Sequence, residues 1–296
     1  TGIGLSALGA NTTGINNIAV GAYAGDANTT GHYNVALGTL ALSANTTADA
    51  NTAIGTEAMS SNTTGANNVA VGKGALDANT TADYNTAIGV NALGANTTGT
   101  PNVSIGHNST LNNTTGGSNV AVGPYALQNN TTASHNTAIG NSALIANTTG
   151  ASNIAIGNYS LDANTTASGN VAVGYQALSA NTTAIEQTAV GYQALLSSTT
   201  GAANTAFGHG ALDANTTGEQ NVGIGAWALS AHTTGQQNVA VGNNSLDANT
   251  TGSYNVGIGK DALGSCTTGA SNTAVGRGCL DSCTTGAENT SIGKAS

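Results

Sequence analysis

A period of 17 residues runs through the chain without a single insertion or deletion, and no other feature of the sequence restricts the fold as strongly. One period, residues 85–101, reads NTAIGVNALGANTTGTP; its positions are numbered as slots 1 to 17, starting at Asn85. The 296 residues comprise 16 of a partial period, sixteen full periods over 17–288, and eight residues more. A register this rigid means that each repeat stacks on the last, as in a solenoid, rather than folding as an independent domain. The sequence therefore predicts one continuous array over 1–296, with no distinct capping repeat at either end.

The columns assign roles. Slot 5 is Gly in all 18 coils, from Gly4 to Gly293, and slots 13 and 14 are Thr-Thr in all 17 coils that contain them. Slot 15 is always Gly or Ala, slot 4 always aliphatic or Phe207, and slot 9 Leu or Met except at Gly25 and Thr110. Slots 3, 8 and 11 are small in nearly every coil. All charged residues fall in slots 6, 7, 10, 16 and 17, as at Lys73, Glu57, Asp77, Asp83 and Glu186, which marks those slots as the outside. Pro101 and Pro124 sit in slots 17 and 6, where a missing ladder donor costs least.

Slots 2 to 4, such as TAI at 86–88 and VAV at 120–122, alternate with strand period, and 17 residues rich in glycine leave no room for two helices. The expected fold is all-β: a parallel β-solenoid of about 18 coils with two or three short strands per coil. These fall near slots 1–4, 8–9 and 11–14, with turns at slots 5, 10 and 15. At about 4.8 Å per coil the array would be a rod of roughly 85 Å. Slots 2, 4 and 9 are expected to fill the interior, leaving the small-residue files of slots 3, 8 and 11 exposed as flat surfaces for lateral association, where burial adds stability at about 25 cal/mol per Å². The sequence enters and leaves mid-repeat, so open strand edges lead to an expectation of flanking domains or of end-to-end stacking into a filament.

Composition closes off several function classes. Charged residues make up 6% of the chain and the net charge is −9, which disfavours nucleic acid, whose phosphates call for Lys and Arg. With 42 Gly but 2 Pro and no glycine at every third position, collagen is excluded. No apolar run approaches the ~18 to 20 residues of a membrane span, and the lack of an initiator Met or signal segment suggests a processed form or a segment of something longer.

The unit NTAIGxxALxxNTTGxx, as in NTAIGNSALIANTTGAS at 136–152 and TAVGYQALLSSTTG at 188–201, resembles repeats of long bacterial and phage tail-fibre-like proteins. Its xAxGxxA segment is similar to the head repeat of trimeric autotransporter adhesins. The resemblance covers every coil. It implies a trimeric, left-handed parallel β-roll on a cell or virion surface, acting as a fibre shaft or adhesin. Adhesin heads use a shorter period, and the extra NTT segment departs from them; no chaperone domain, anchor or stalk of the kind such families carry occurs in this sequence.

Asn-Thr-Thr fills slots 12 to 14 in 13 coils. It reads as a stacked ladder, for example Asn79, Thr80 and Thr81 over Asn96, Thr97 and Thr98, with like side chains bonding between coils. The triplet is also an N-glycosylation acceptor pattern, but glycans about 4.8 Å apart would clash, and Ser198, His232, Cys266 and Cys283 share slot 12. Threonine files raise an ice- or surface-binding alternative; in a strand only one Thr of each pair faces out, and the slot-12 Asn would share the direction of the second. Cys266 and Cys283, with Cα atoms expected about 4.8 Å apart, are within reach of a disulfide, while Cys279 replaces an Ala of slot 8.

Chemistry beyond this is sparse. His32, His107, His135, His209 and His232 scatter over four slots, and the slot-10 acids Asp213, Asp247 and Asp281 would lie about 9.6 Å apart, too far for one cation. No catalytic, cofactor or metal residue is assigned. Tyr23, Tyr125, Tyr159, Tyr175, Tyr192 and Trp227, in slots 6 and 7, are the candidate ligand or partner surface. The expected function is a structural extracellular shaft without catalysis, associating with itself as a homotrimer or filament. Surface glycans or proteins are its further partners, with no nucleic acid and no membrane insertion.

Overall fold

The computed structural model describes residues 1–296. It contains no helix; each period supplies one β-strand, and the chain divides into two units, Thr1–Ala151 and Ser152–Ser296. The first unit holds nine strands, β1 (Gly2–Ile3) to β9 (Thr137–Ile139), and the second holds nine, β10 (Ile154–Ile156) to β18 (Thr290–Ile292). Within each unit every strand pairs in parallel with the next at a register of one period, as in Thr86↔Val103 and Ile88↔Ile105 or Val171↔Thr188 and Val173↔Val190. Each unit is thus a parallel β-solenoid, as the period predicts.

Only slots 2 to 4 are extended. Slots 8–9 and 11–14, expected as further strands, are turns, although their backbones still bond from coil to coil: Leu42 N–H donates to Ala58 O (2.9 Å) and Thr46 N–H to Thr63 O (3.1 Å). For slots 8–9 the reason is backbone handedness. Slots 7, 9 and 17 take positive φ in coil after coil, as at Asn91 (54°), Leu93 (54°) and Tyr84 (58°), and a left-handed residue cannot continue a strand. The slot-5 glycine has φ near +135° (Gly89), and a Cβ there would lie 2.5 Å from Gly106 O and 2.6 Å from its carbonyl carbon. Both the conformation and the closeness of the next coil exclude a side chain.

The core differs from expectation in one respect that reverses the sheet. Slot 3, not slots 2 and 4, points inward: Ala87, Ala121 and Ala172 are fully buried, as are Ala92, Ala126 and Ala177 of slot 8 and Leu93, Leu127 and Leu178 of slot 9. Slot 9 was correctly placed inside. The files of slots 3 and 8 are therefore not the exposed lateral surface, and slot 11 is mostly half-exposed. Space explains the reversal. The Leu of slot 9 lies directly over slot 3, since a Cβ added at Gly223 would sit 3.2 Å from Leu212 Cγ and one at Gly257 would sit 3.3 Å from Leu246 Cδ1. Opposite a Leu in so narrow a coil only Ala, Ser or Gly fits, and the bulkier Val, Ile and Thr of slots 2 and 4 are forced outward.

Much of the interior is polar. Slot 1, Asn in every complete coil except at Gln187, is as buried as slot 12. Such groups are tolerated inside only when bonded, and in the first unit the two Asn files meet this requirement through a shared acceptor in each coil. Asn51 Nδ2 and Asn62 Nδ2 both donate to Gly65 O, at 2.8 and 2.9 Å.

Candidate functional site

Three features outlast the fold: the Asn files, the strand face and the aromatic corner. In the first unit the slot-12 ladder is unbroken, with Asn45 Nδ2 donating to Asn28 Oδ1 (2.8 Å), Asn62 to Asn45 (3.1 Å) and Asn79 to Asn62 (2.8 Å). Asn96 Nδ2 donates to Asn79 Oδ1 at 3.3 Å, so these two members of the expected ladder behave as read. The threonines divide. Thr80 and Thr97 donate their hydroxyls to the carbonyls of Thr97 and Thr114 (3.3 and 3.1 Å) rather than to like side chains, while Thr81 and Thr98 are exposed and outside the ladder. Asn and the second Thr therefore face opposite ways, contrary to the strand geometry expected for slots 12–14. From Asn28 to Asn147 the acceptor nitrogens of the glycosylation pattern are buried donors in two hydrogen bonds each, as at Asn62.

The slot-1 file is the part of the interior that sequence reasoning overlooked, although its column of Asn was as regular as slot 12. Each Oδ1 accepts from the backbone N–H of the next coil, as Asn34 Oδ1 does from Asn51 (3.0 Å). In the second unit the slot-12 file is interrupted. Ser198 is too short to continue it, and Gln187 of slot 1 reaches across to donate from Nε2 to Ser198 Oγ (2.9 Å). His232 stands with Nδ1 at 3.0 Å from Asn249 Oδ1 and Nε2 at 2.8 Å from Gly235 O, and Asn215 Oδ1 before it is buried without a partner. Burial lowers the His232 pKa below the usual imidazole value, against the hydrogen bonds to Gly235 and Asn249.

Cys266 and Cys283 follow in the same file as free thiols. Burial pushes the Cys266 thiol up, and the neighbouring Cys283 adds to this, so Cys266 is a weak nucleophile. Cys279 is buried in slot 8, its Sγ 3.1 Å from Ser291 O. Desolvation raises the carboxyls of Asp77, Asp162, Asp213 and Asp247 in slot 10. No three His, Cys, Asp or Glu side chains gather into a metal-holding group.

The outward strand face carries Val, Thr or Ile in slot 2 and an aliphatic or Phe207 in slot 4. Ile54, Ile88, Ile105 and Ile139 are each more than a third exposed in the first unit, as are Ile156, Phe207, Ile224 and Ile258 in the second. Neither slot contains a charge. A strand of three residues by one coil spacing covers about 48 Å², so nine coils present on the order of 400 Å² of uncharged strip per unit, aliphatic or Phe207 in slot 4 and mixed aliphatic and Thr in slot 2. That falls in the range of the largest patches a monomer leaves open.

The expected aromatic surface is brought together only in part. Tyr23 is exposed, and Tyr125 meets His107 edge-on at 5.3 Å between centroids. Tyr159, Tyr175, Tyr192 and Trp227 join one array in the second unit, completed by His209, which occupies the same slot as Tyr175 and Tyr192. Centroid separations along it are 6.2, 5.4, 5.0 and 4.6 Å. No family model and no curated protein matches this chain.

Proposed function

We propose that the chain is a non-catalytic structural shaft whose strand face packs against further copies of itself. The observation that carries this reading is the uncharged, largely aliphatic strip of slots 2 and 4. The strip of each unit, on the order of 400 Å², is about half of what one partner contributes to a standard-size interface. The interior supports a structural rather than a reactive role, since the slot-12 amides of the first unit are committed to coil-to-coil hydrogen bonds. Three copies side by side, outside a cell or on a virion, is the assembly that the tail-fibre and adhesin resemblance favours. The self-contact now falls to β-branched and aliphatic files instead of alanine files.

Sedimentation of the purified chain tests this: the expected species is a discrete multiple of 28.5 kDa. Glu substitutions at Ile54, Ile88 and Ile105, side chains already partly in water, are expected to yield a folded monomer. A wild-type chain that sediments as a monomer refutes self-association. A flat, regular sheet face also suits a surface- or ice-binding monomer, and thermal hysteresis in that monomer would select this second reading.

A further inference from the structure

We propose that the five-ring array Tyr159, Tyr175, Tyr192, His209 and Trp227 is a binding site for an extended, uncharged polysaccharide laid along the stacking direction. The rings come from five successive coils, and the four predicted members are each about 40 to 46% exposed. Tyr175, Tyr192 and His209 stack with interplanar angles of 15° and 7°, so they cover one another's faces and turn polar edges outward. The end rings are rotated, Tyr159 by 85° to Tyr175 and Trp227 by 67° to His209. Their planes run along the array rather than across it. This arrangement offers two aromatic platforms separated by hydroxyl and imidazole edges, and a sugar chain needs both: C–H faces to stack and hydroxyls to hydrogen-bond.

The charge pattern sets the ligand class. Slots 6 and 7 of these five coils hold no Lys, Arg, Asp or Glu, although the same slots carry Glu57, Lys73, Lys260 and Arg277 elsewhere. Amides stand beside the rings instead, with Gln193 Nε2 donating to Gln176 Oε1 at 2.9 Å. An anionic glycan finds no Lys or Arg in these slots to pair with. Trp227 is held in place: its indole lies over Gly210, at φ +60°, where a Cβ would collide with the ring. Four coil steps of about 4.8 Å give a track of about 19 Å, and one step is close to the length of one sugar unit in an extended chain. The track lies at the corner beyond slot 5, apart from the aliphatic strip, so the proposal stands whether or not the chain self-associates.

Native gel electrophoresis of the full chain through hydroxyethylcellulose, glucomannan and alginate tests the site. Retardation is expected in at least one of the two neutral gels and not in alginate. The Tyr159→Ala/Trp227→Ala variant, with an unchanged circular dichroism spectrum, is expected to lose about tenfold or more in apparent affinity. Tyr175→Phe/Tyr192→Phe, which keeps the stack and removes its hydroxyls, is expected to fall between the two. Absence of retardation in both neutral gels, retardation in alginate alone, or full retention by both variants would overturn the proposal.

Discussion

Replacing Asn62 by Asp exchanges one NH₂ for an oxygen at the centre of the first unit, with no change in shape. Asn62 Nδ2 now donates to Asn45 Oδ1 (3.1 Å) and Gly65 O (2.9 Å), and its Oδ1 accepts from Asn79 (2.8 Å). An ionised carboxylate would face two acceptors with no proton between them, at a fully buried position. The acid must therefore fold protonated. Holding a carboxyl of ordinary pKa about 3.9 in its acid form at pH 7 takes roughly 3 units at 1.36 kcal/mol each, or about 4 kcal/mol. The single acid proton is expected to serve Asn45, because Gly65 O retains Asn51 Nδ2 at 2.8 Å. The remaining loss is then about 1 kcal/mol. A pKa raised on folding gives stability that is present below the unfolded value and lost as pH rises above it. Urea unfolding followed by circular dichroism is expected to show a deficit of about 5 kcal/mol at pH 7 and about 1 kcal/mol at pH 4, each against wild type at the same pH. Equal deficits at the two pH values, or a deficit below about 1 kcal/mol at pH 7, would refute the buried-ladder reasoning.

Two further outcomes follow from the same coil geometry. Gly89→Ala, at φ +135° and against the backbone of Gly106, is expected to lose roughly 3 to 5 kcal/mol of unfolding free energy. Ala50→Gly, at an exposed φ of 57°, should instead gain about 1 kcal/mol. His232 is held below its ordinary pKa, so the unfolded chain takes up the proton first, and wild-type stability should fall as pH drops from about 6.5 toward the lower folded value. His232→Asn is expected to remove that step and, by giving Asn215 Oδ1 a donor, to gain about 1 kcal/mol at neutral pH.

Much of this was readable before any coordinates. An unbroken 17-residue period with an invariant glycine and one β-branched, alternating triplet determines a parallel solenoid, because only in-register stacking reproduces the same surroundings in every coil. Slot 9 as core, the stacking of Asn79 and Asn96 in a ladder, and the outward corner of slots 6 and 7 were legible in the same way, from columns that keep one chemistry or admit charge. The Gln187 and Ser198 pair was also in plain sight, as a long and a short residue substituted together within one coil. The tertiary structure decided which face of the strand is inside. Hydropathy favours Val and Ile of slots 2 and 4, but the leucine overhead leaves room only for alanine in slot 3, and volume prevails over hydrophobicity in so narrow a coil. Likewise, the left-handed residues at slots 7, 9 and 17 are mostly not glycines, so no local propensity announces the turn that replaces the expected second strand. The ring array depended on both: the slots placed the aromatics at one corner, and only the coil stacking joined His209 to them and turned Tyr159 and Trp227 along its length.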